Sequence, residues 1–108
     1  MQSKLTPNTL TDAATIDVDW NKSQNHGVTP TDNRTLTFTN GVAGSVYSVS
    51  ITQDGSGSRL ITWPSTVKWA GGSAPTLTTT AGRTDQIWFY FDGTYYRDID
   101  IVKNFNLA

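Results

Sequence analysis

The sequence predicts an all-β domain, an antiparallel β-sandwich of jelly-roll type with about eight short strands. Three observations lead there. Apolar and polar residues alternate with a period of two in several short runs. Glycine, proline and Asn-Gly or Asp-Gly dipeptides interrupt the chain roughly every eight to twelve residues. No amphipathic run is long enough for a helix, and the segment from Gln53 to Leu77 holds two tryptophans, two prolines and a Gly-Gly pair, which suit turns and strands.

Residues 1–13 are polar, contain Pro7 and show no periodicity, so they are expected as an extended arm before a single domain over 14–108. The first strand follows, with Ile16, Val18 and Trp20 alternating with Asp17 and Asp19. Residues 21–33, punctuated by Gly27 and Pro30, are expected as loop or an irregular edge. Residues 34–39 alternate again around Leu36 and Phe38, and Asn40-Gly41 then turns the chain. Residues 45–52 place Tyr47, Val49 and Ile51 on one side. The turn Asp54-Gly55-Ser56-Gly57 leads into a strand at 58–63, so these two strands are expected to form a hairpin. Pro64 ends that strand. Short strands are expected at 67–69 and, at an edge, at 76–80. Residues 84–91 are apolar on both faces, with Ile87, Phe89 and Phe91 on one and Trp88 and Tyr90 on the other. Asp92-Gly93 turns the chain into a last strand, where Tyr95, Arg97, Ile99 and Ile101 oppose Tyr96, Asp98 and Asp100.

Composition narrows the function. At 108 residues the chain makes one domain with one core. The formal net charge is -1, all acids are aspartates, and no basic run exists, so nucleic acid is not an expected partner. No apolar stretch is long enough to span a membrane, and the N-terminus lacks a signal-peptide core. The expectation is synthesis in a host cytoplasm without export by that route. With no cysteine, disulfides and thiolate chemistry are excluded, and oligomerisation is an expected source of stability.

Enzyme signatures are weak. The single histidine, His26, lies in a polar stretch and is expected as a solvated loop residue. Asp17 with Asp19, and Asp98 with Asp100, are spaced two apart on strand faces, a geometry open to glycoside hydrolysis or Ca²⁺ ligation. Solubility and protection of sheet edges explain them more simply. The Asp54–Gly57 turn lacks the ligand pattern of a calcium loop. No catalytic residue, cofactor or metal is expected. Trp20, Trp63, Trp69 and Trp88, with Tyr90, Tyr95 and Tyr96, are expected mainly in the core or a subunit interface. A sugar-binding platform is the competing reading. The two-sided strand at 84–91 makes Trp88 and Tyr90, with Tyr96 from the strand after it, the candidate interface.

The ordered pieces DWN, NRTLTFTN, QDGSGSR, LITWP, VKWAGG, APTLTTTAGRTD, IWFYF, DGTYY and KNF cover roughly residues 15–105. In this order they resemble the C-terminal β-domain of tailed-bacteriophage virion proteins and prophage tail-fibre or adsorption proteins. The resemblance implies a homotrimer, a virion structural role and no catalytic residues. Tail fibres carry this domain on a long shaft, whereas here only a short arm precedes it. The expectation is therefore a capsid decoration or cement protein on the head surface, bound to the major capsid protein or another virion protein. Leu5, Pro7 and Leu10 would anchor its arm to the capsid. The alternative is a tail-fibre tip that binds host-surface glycans.

Overall fold

The computed structural model describes residues 4–107. The start of the expected arm, residues 1–3, and residue 108 lie outside it. Strands occupy 46% of the described residues and no α-helix forms, so the chain is all-β. The strands are β1 (Asn8–Thr9), β2 (Thr15–Asp19), β3 (Asn25–Val28), β4 (Arg34–Thr39), β5 (Val46–Thr52), β6 (Ile61–Thr62), β7 (Val67–Lys68), β8 (Arg83–Phe91) and β9 (Tyr96–Asn106).

Their pairing corrects the antiparallel expectation. One sheet has six strands in the order β1-β3-β5-β8-β9-β7, and the other has three, β2-β4-β6. Odd strands up to β5 enter the first sheet and even strands the second, and every neighbouring pair among β1–β6 is parallel. Residues 8–62 thus wind as a flattened parallel coil that visits each sheet in turn. Only β5-β8 and β8-β9 are antiparallel. The turns at Asn40-Gly41 and Asp54–Gly57 do not make hairpins. They carry the chain from one sheet to the other, so β4 and β5 separate, and β6 pairs with β4 at Arg34↔Ile61 instead of with β5. Asp92-Gly93 does join a hairpin, and Gly93 supplies the required left-handed φ of 100°.

Other boundaries shift as well. The stretch expected as loop contains β3, an interior strand between β1 and β5. Of the strand expected at 58–63, only Ile61–Thr62 pairs, and 76–80 forms no strand. A bulge in β9 puts Asp98 opposite Phe89 but Asp100 opposite Trp88. Partners directly opposite share a face, so Asp98 lies on the core side and Asp100 on the outer side. Ile99, at the irregularity, is 55% exposed, while Ile101 packs against the core.

The core draws on both sheets. Ile16, Val18 and Leu36 meet Tyr47, Val49, Ile51, Ile87 and Phe89. Aromatic rings bind them together: Trp20 stacks on Tyr47 at 4.3 Å between centroids, and Phe91 stacks on Tyr96 at 4.1 Å. Tyr96, expected at a subunit interface, is thereby a core residue, 4% exposed. Opposite Phe91 in the β8-β9 ladder, it faces inward.

Gly41 is required here for space. A Cβ there would overlap the Tyr96 hydroxyl and fall 2.9 Å from Phe91 Cδ2. Gly41→Ala is expected to destabilise the fold by about 1–3 kcal/mol through overpacking, read as a lower urea midpoint at unchanged slope.

Candidate functional site

The outer face of the six-stranded sheet carries the residues of greatest functional interest. Strand alternation sends Tyr47, Val49 and Ile51 inward and leaves Val46, Ser48, Ser50 and Thr52 on the other side. Register then sets their neighbours. Val46 lies opposite Tyr90, Ser48 opposite Trp88 and Ser50 opposite Gln86. On β9, Arg97 follows Tyr90, Asp100 follows Trp88, Val102 follows Gln86 and Phe105 follows Thr84. On the other flank, Asn25 adjoins Ser48, Gly27 adjoins Ser50, and Thr9 adjoins Gly27.

This face has two characters. From Val46 toward β9 it carries a band of exposed apolar residues interspersed with Arg97 and Asp100: Val46, Val102 and Phe105 are exposed by 44, 37 and 36%. Tyr90 and Trp88 are half-buried beside them, and the Arg97 guanidinium sits 5.0 Å from the Tyr90 ring centroid. Toward β3 the face is concave and uncharged. A groove of about 290 Å³ is lined by Pro7, Thr9, Asn25, Gly27, Ser50 and Gln86, with the buried Ser48 beneath. Ser48 Oγ donates to Asn25 Oδ1 at 2.7 Å, and Asn25 Nδ2 donates to the Leu5 carbonyl at 2.9 Å, so the groove is braced by the arm.

The arm itself lies along its own domain. Asn8–Thr9 pairs in parallel with β3, and the Ser23 hydroxyl donates to the Thr6 carbonyl at 2.7 Å. Arg34 holds Asp12 with a two-pronged contact, Nε to Oδ1 at 2.7 Å and a terminal nitrogen to Oδ2 at 2.9 Å. These donors and those of Thr31 hold the Asp12 carboxyl well below the usual carboxylate range. Of the three expected capsid anchors, Leu10 packs against the core, while Leu5 and Pro7 face solvent.

The residues weighed for catalysis occupy structural positions. His26 is 2% exposed, which corrects its expected place in solvent. Its Nε2 donates toward the carbonyls of Asp19 and Ser23 at 3.1 and 3.0 Å, and Asn8 Nδ2 donates to its Nδ1 at 3.1 Å. Burial pushes its pKa down. Asp17 accepts hydrogen bonds from Thr37 and Thr39, and Asp19 from the Asn21 amide and Asn40. Asp98 and Asp100, placed on opposite faces by the bulge, do not form a pair. Asp98 accepts the Ala70 amide at 2.7 Å. The carboxyls displaced from their ordinary pKa, Asp12, Asp19, Asp54 and Asp92, all move down, because guanidinium, amide or backbone N–H donors hold the ionised form. A general acid requires the opposite shift. Among the described residues no cluster of three metal-binding side chains occurs.

Sequence reasoning singled out Trp88 and Tyr90 on this face but missed Asn25, Gly27, Ser48, Ser50 and Gln86. The signal present was the alternation of His26 and Val28 with Asn25 and Gly27, masked by the turn-forming residue types around it. No family model, curated protein or solved structure matches this chain.

Two pH and charge effects follow. His26 stays neutral in the fold and takes up a proton in the unfolded chain. Stability should therefore fall as pH drops from about 6.5 toward the lower folded pKa, by at most about 1.4 kcal/mol per pH unit. Denaturant titrations between pH 7.5 and 5 test this, because His26 is the sole histidine; a flat profile would mean an accessible ring. Asp12 acts lower on the scale. Its depressed pKa adds stability that is present above about pH 4 and fades as pH falls further. Asp12→Asn should lower the melting temperature at pH 7, and the gap from the unsubstituted protein should close toward pH 2.

Proposed function

We propose that this chain is a non-enzymatic virion structural protein, a two-sheet β-domain that assembles as a homotrimer and decorates the capsid. The single observation that carries this reading is the apolar band on an outer sheet face. Val46 lies opposite Tyr90, Trp88 shares their face on β8, and Val102 and Phe105 lie on the same face of the adjoining β9, with Arg97 and Asp100 interspersed among them. Contiguous exposed apolar surface marks interaction sites. Burial yields about 25 cal/mol per Å², against the cost of ordering the partners. A second and third copy provide the same band at fixed geometry, so closed symmetry covers it on every subunit.

Trimer over dimer, and a virion surface as the partner, rest on the resemblance of the ordered motifs to phage virion domains. The site chemistry agrees with adhesion. The histidine is locked in the interior, many carboxylates serve turns and cross-strand bonds, and apart from the exposed Tyr95 the large aromatics are core or band residues. The major capsid protein is the expected contact beyond the trimer, with Leu5 and Pro7 as the solvent-facing part of the arm. The tail-fibre alternative, a tip holding host glycans, draws on the groove beside Trp88.

Sedimentation equilibrium should return three times the mass of the 11.8 kDa chain. Tyr90→Asp and Val102→Asp should each reduce this to one chain with an unchanged far-ultraviolet dichroism spectrum. A parent protein that sediments as a single chain at micromolar concentration refutes assembly through the band. Co-sedimentation with expanded empty heads, absent with tails alone, is the expected result for decoration.

A further inference from the structure

Four strands lie at sheet borders: β1 and β7 in the larger sheet, β2 and β6 in the smaller. Exposed edges invite pairing with other chains, and folds usually blunt them. β1, β6 and β7 are each two residues long. β9 extends past β7 but bulges twice, between Asp98 and Asp100 and between Val102 and Phe105. β2 has neither safeguard. It runs five residues in unbroken register with β4, without proline or glycine. Its aspartates do not bar the edge either. The Thr37 and Thr39 hydroxyls draw Asp17 over β4 at 2.9 and 3.0 Å, and the Asn40 amide holds Asp19.

The ladder defines which groups are open. Parallel pairs use alternate residues of a strand. The Thr35 amide donates to the Ala14 carbonyl and the Trp20 amide to the Thr39 carbonyl, so even-numbered residues bond to β4. The N–H and C=O groups of Thr15 and Asp17 therefore point away from the sheet, and no described residue bonds to them there. Farther along, the Asp19 carbonyl accepts from the Lys22 amide and the His26 ring, which closes that end. A groove of about 380 Å³ separates β2 from the arm, lined by Thr9, Leu10, Thr11, Thr15, Ile16 and Asp17.

We propose that the free side of β2 receives an extended segment of another protein as a fourth strand of the smaller sheet, with Lys or Arg at its outward positions. Strand addition of this kind takes its affinity from backbone bonds and its selectivity from alternate side chains. Outward residues of the added strand would adjoin Thr15 and Asp17. Asp17 makes no ion pair among the described residues, and its carboxylate can accept more than the two hydroxyls it holds. Inward residues would meet Leu10 and Ile16, which calls for apolar side chains there. The charge also selects against a second copy of this chain. Two β2 strands paired about a two-fold axis would set aspartates against aspartates, and like charges directly opposite destabilise a sheet. β2 belongs to the other sheet from the apolar band, so this inference does not depend on the trimer.

Amide hydrogen exchange by NMR on the full chain tests this with the capped peptide Lys-Val-Lys-Val-Lys at millimolar concentration. The Thr15 and Asp17 amides should exchange fast in the free protein and slowly with the peptide, while Ile16 and Val18 are protected in both. The same peptide N-methylated at alternate residues should protect neither. Glu-Val-Glu-Val-Glu should bind about threefold or more weakly, and Asp17→Lys should reverse that preference. Asp17→Pro removes an outward N–H that β4 does not use, and should abolish protection of Thr15 in a folded protein. If Asp17→Pro fails to fold, Asp17→Lys decides. Thr15 and Asp17 amides already slow without peptide would mean that a second copy or the chain itself covers the edge, and would overturn the proposal. So would equal protection by the N-methylated peptide, no protection by the lysine peptide, or a charge preference that Asp17→Lys leaves unchanged.

Discussion

One indole joins most of this molecule. Trp20, at the end of β2, contacts an aromatic ring from each of four other strands: His26 of β3, Phe38 of β4, Tyr47 of β5 and Tyr96 of β9. Two of those rings stand edge-on to it, and Tyr47 lies flat against it, arrangements that add to simple burial. Both sheets are represented. The spacing between sheets, the inward turn of His26 and the burial of Tyr96 are all set by this contact. Gly41 completes the arrangement by leaving room for the Tyr96 hydroxyl. Around a filled center of this kind, whatever apolar surface remains outside is available for other partners.

The outer face follows from that economy. Inward positions of β5 and β8 are spent on the core, and their alternates form a surface with polar and apolar halves. The polar half sits where the arm folds back over β3. The apolar half sits where the long β9 carries Val102 and Phe105 beyond the reach of β7, which pairs only with Tyr96 and Arg97. These two halves are adjacent parts of one sheet, with Trp88 at their boundary. Arg97 and Asp100, of opposite sign, are charged side chains on this face.

Much of this was legible in the residues. Period-two alternation placed the inward residues of β2, β4, β5 and β8, because each has one face in the core and the pattern is a direct record of burial. Pairing was not legible. Asp54–Gly57 has the composition of a hairpin turn, but composition does not say whether the chain reverses within a sheet or crosses to another. β3 was hidden because Asn25, His26 and Gly27 are weak strand formers held in place by neighbours on both sides and by the Ser23 and Asn8 contacts. The faces of Asp100 and Ile101 were misassigned because a bulge changes the phase of alternation without leaving a compositional trace. Trp88 and Tyr90 were placed on the outer face correctly, while the small residues that shape the groove beside them carry no signal until the register is known.

The parallel winding also governs the order in which this domain takes shape. Each turn of the coil joins strands well separated in sequence, so closing it costs chain entropy before contacts compensate. The β8-β9 hairpin is local and closes quickly, but it is synthesised after the coil that it completes. β5 is one partner short until β8 exists. A nascent chain emerging from the ribosome therefore carries β1–β6 without the template that fixes β5, and the native fold becomes accessible only once β8 and β9 have been made.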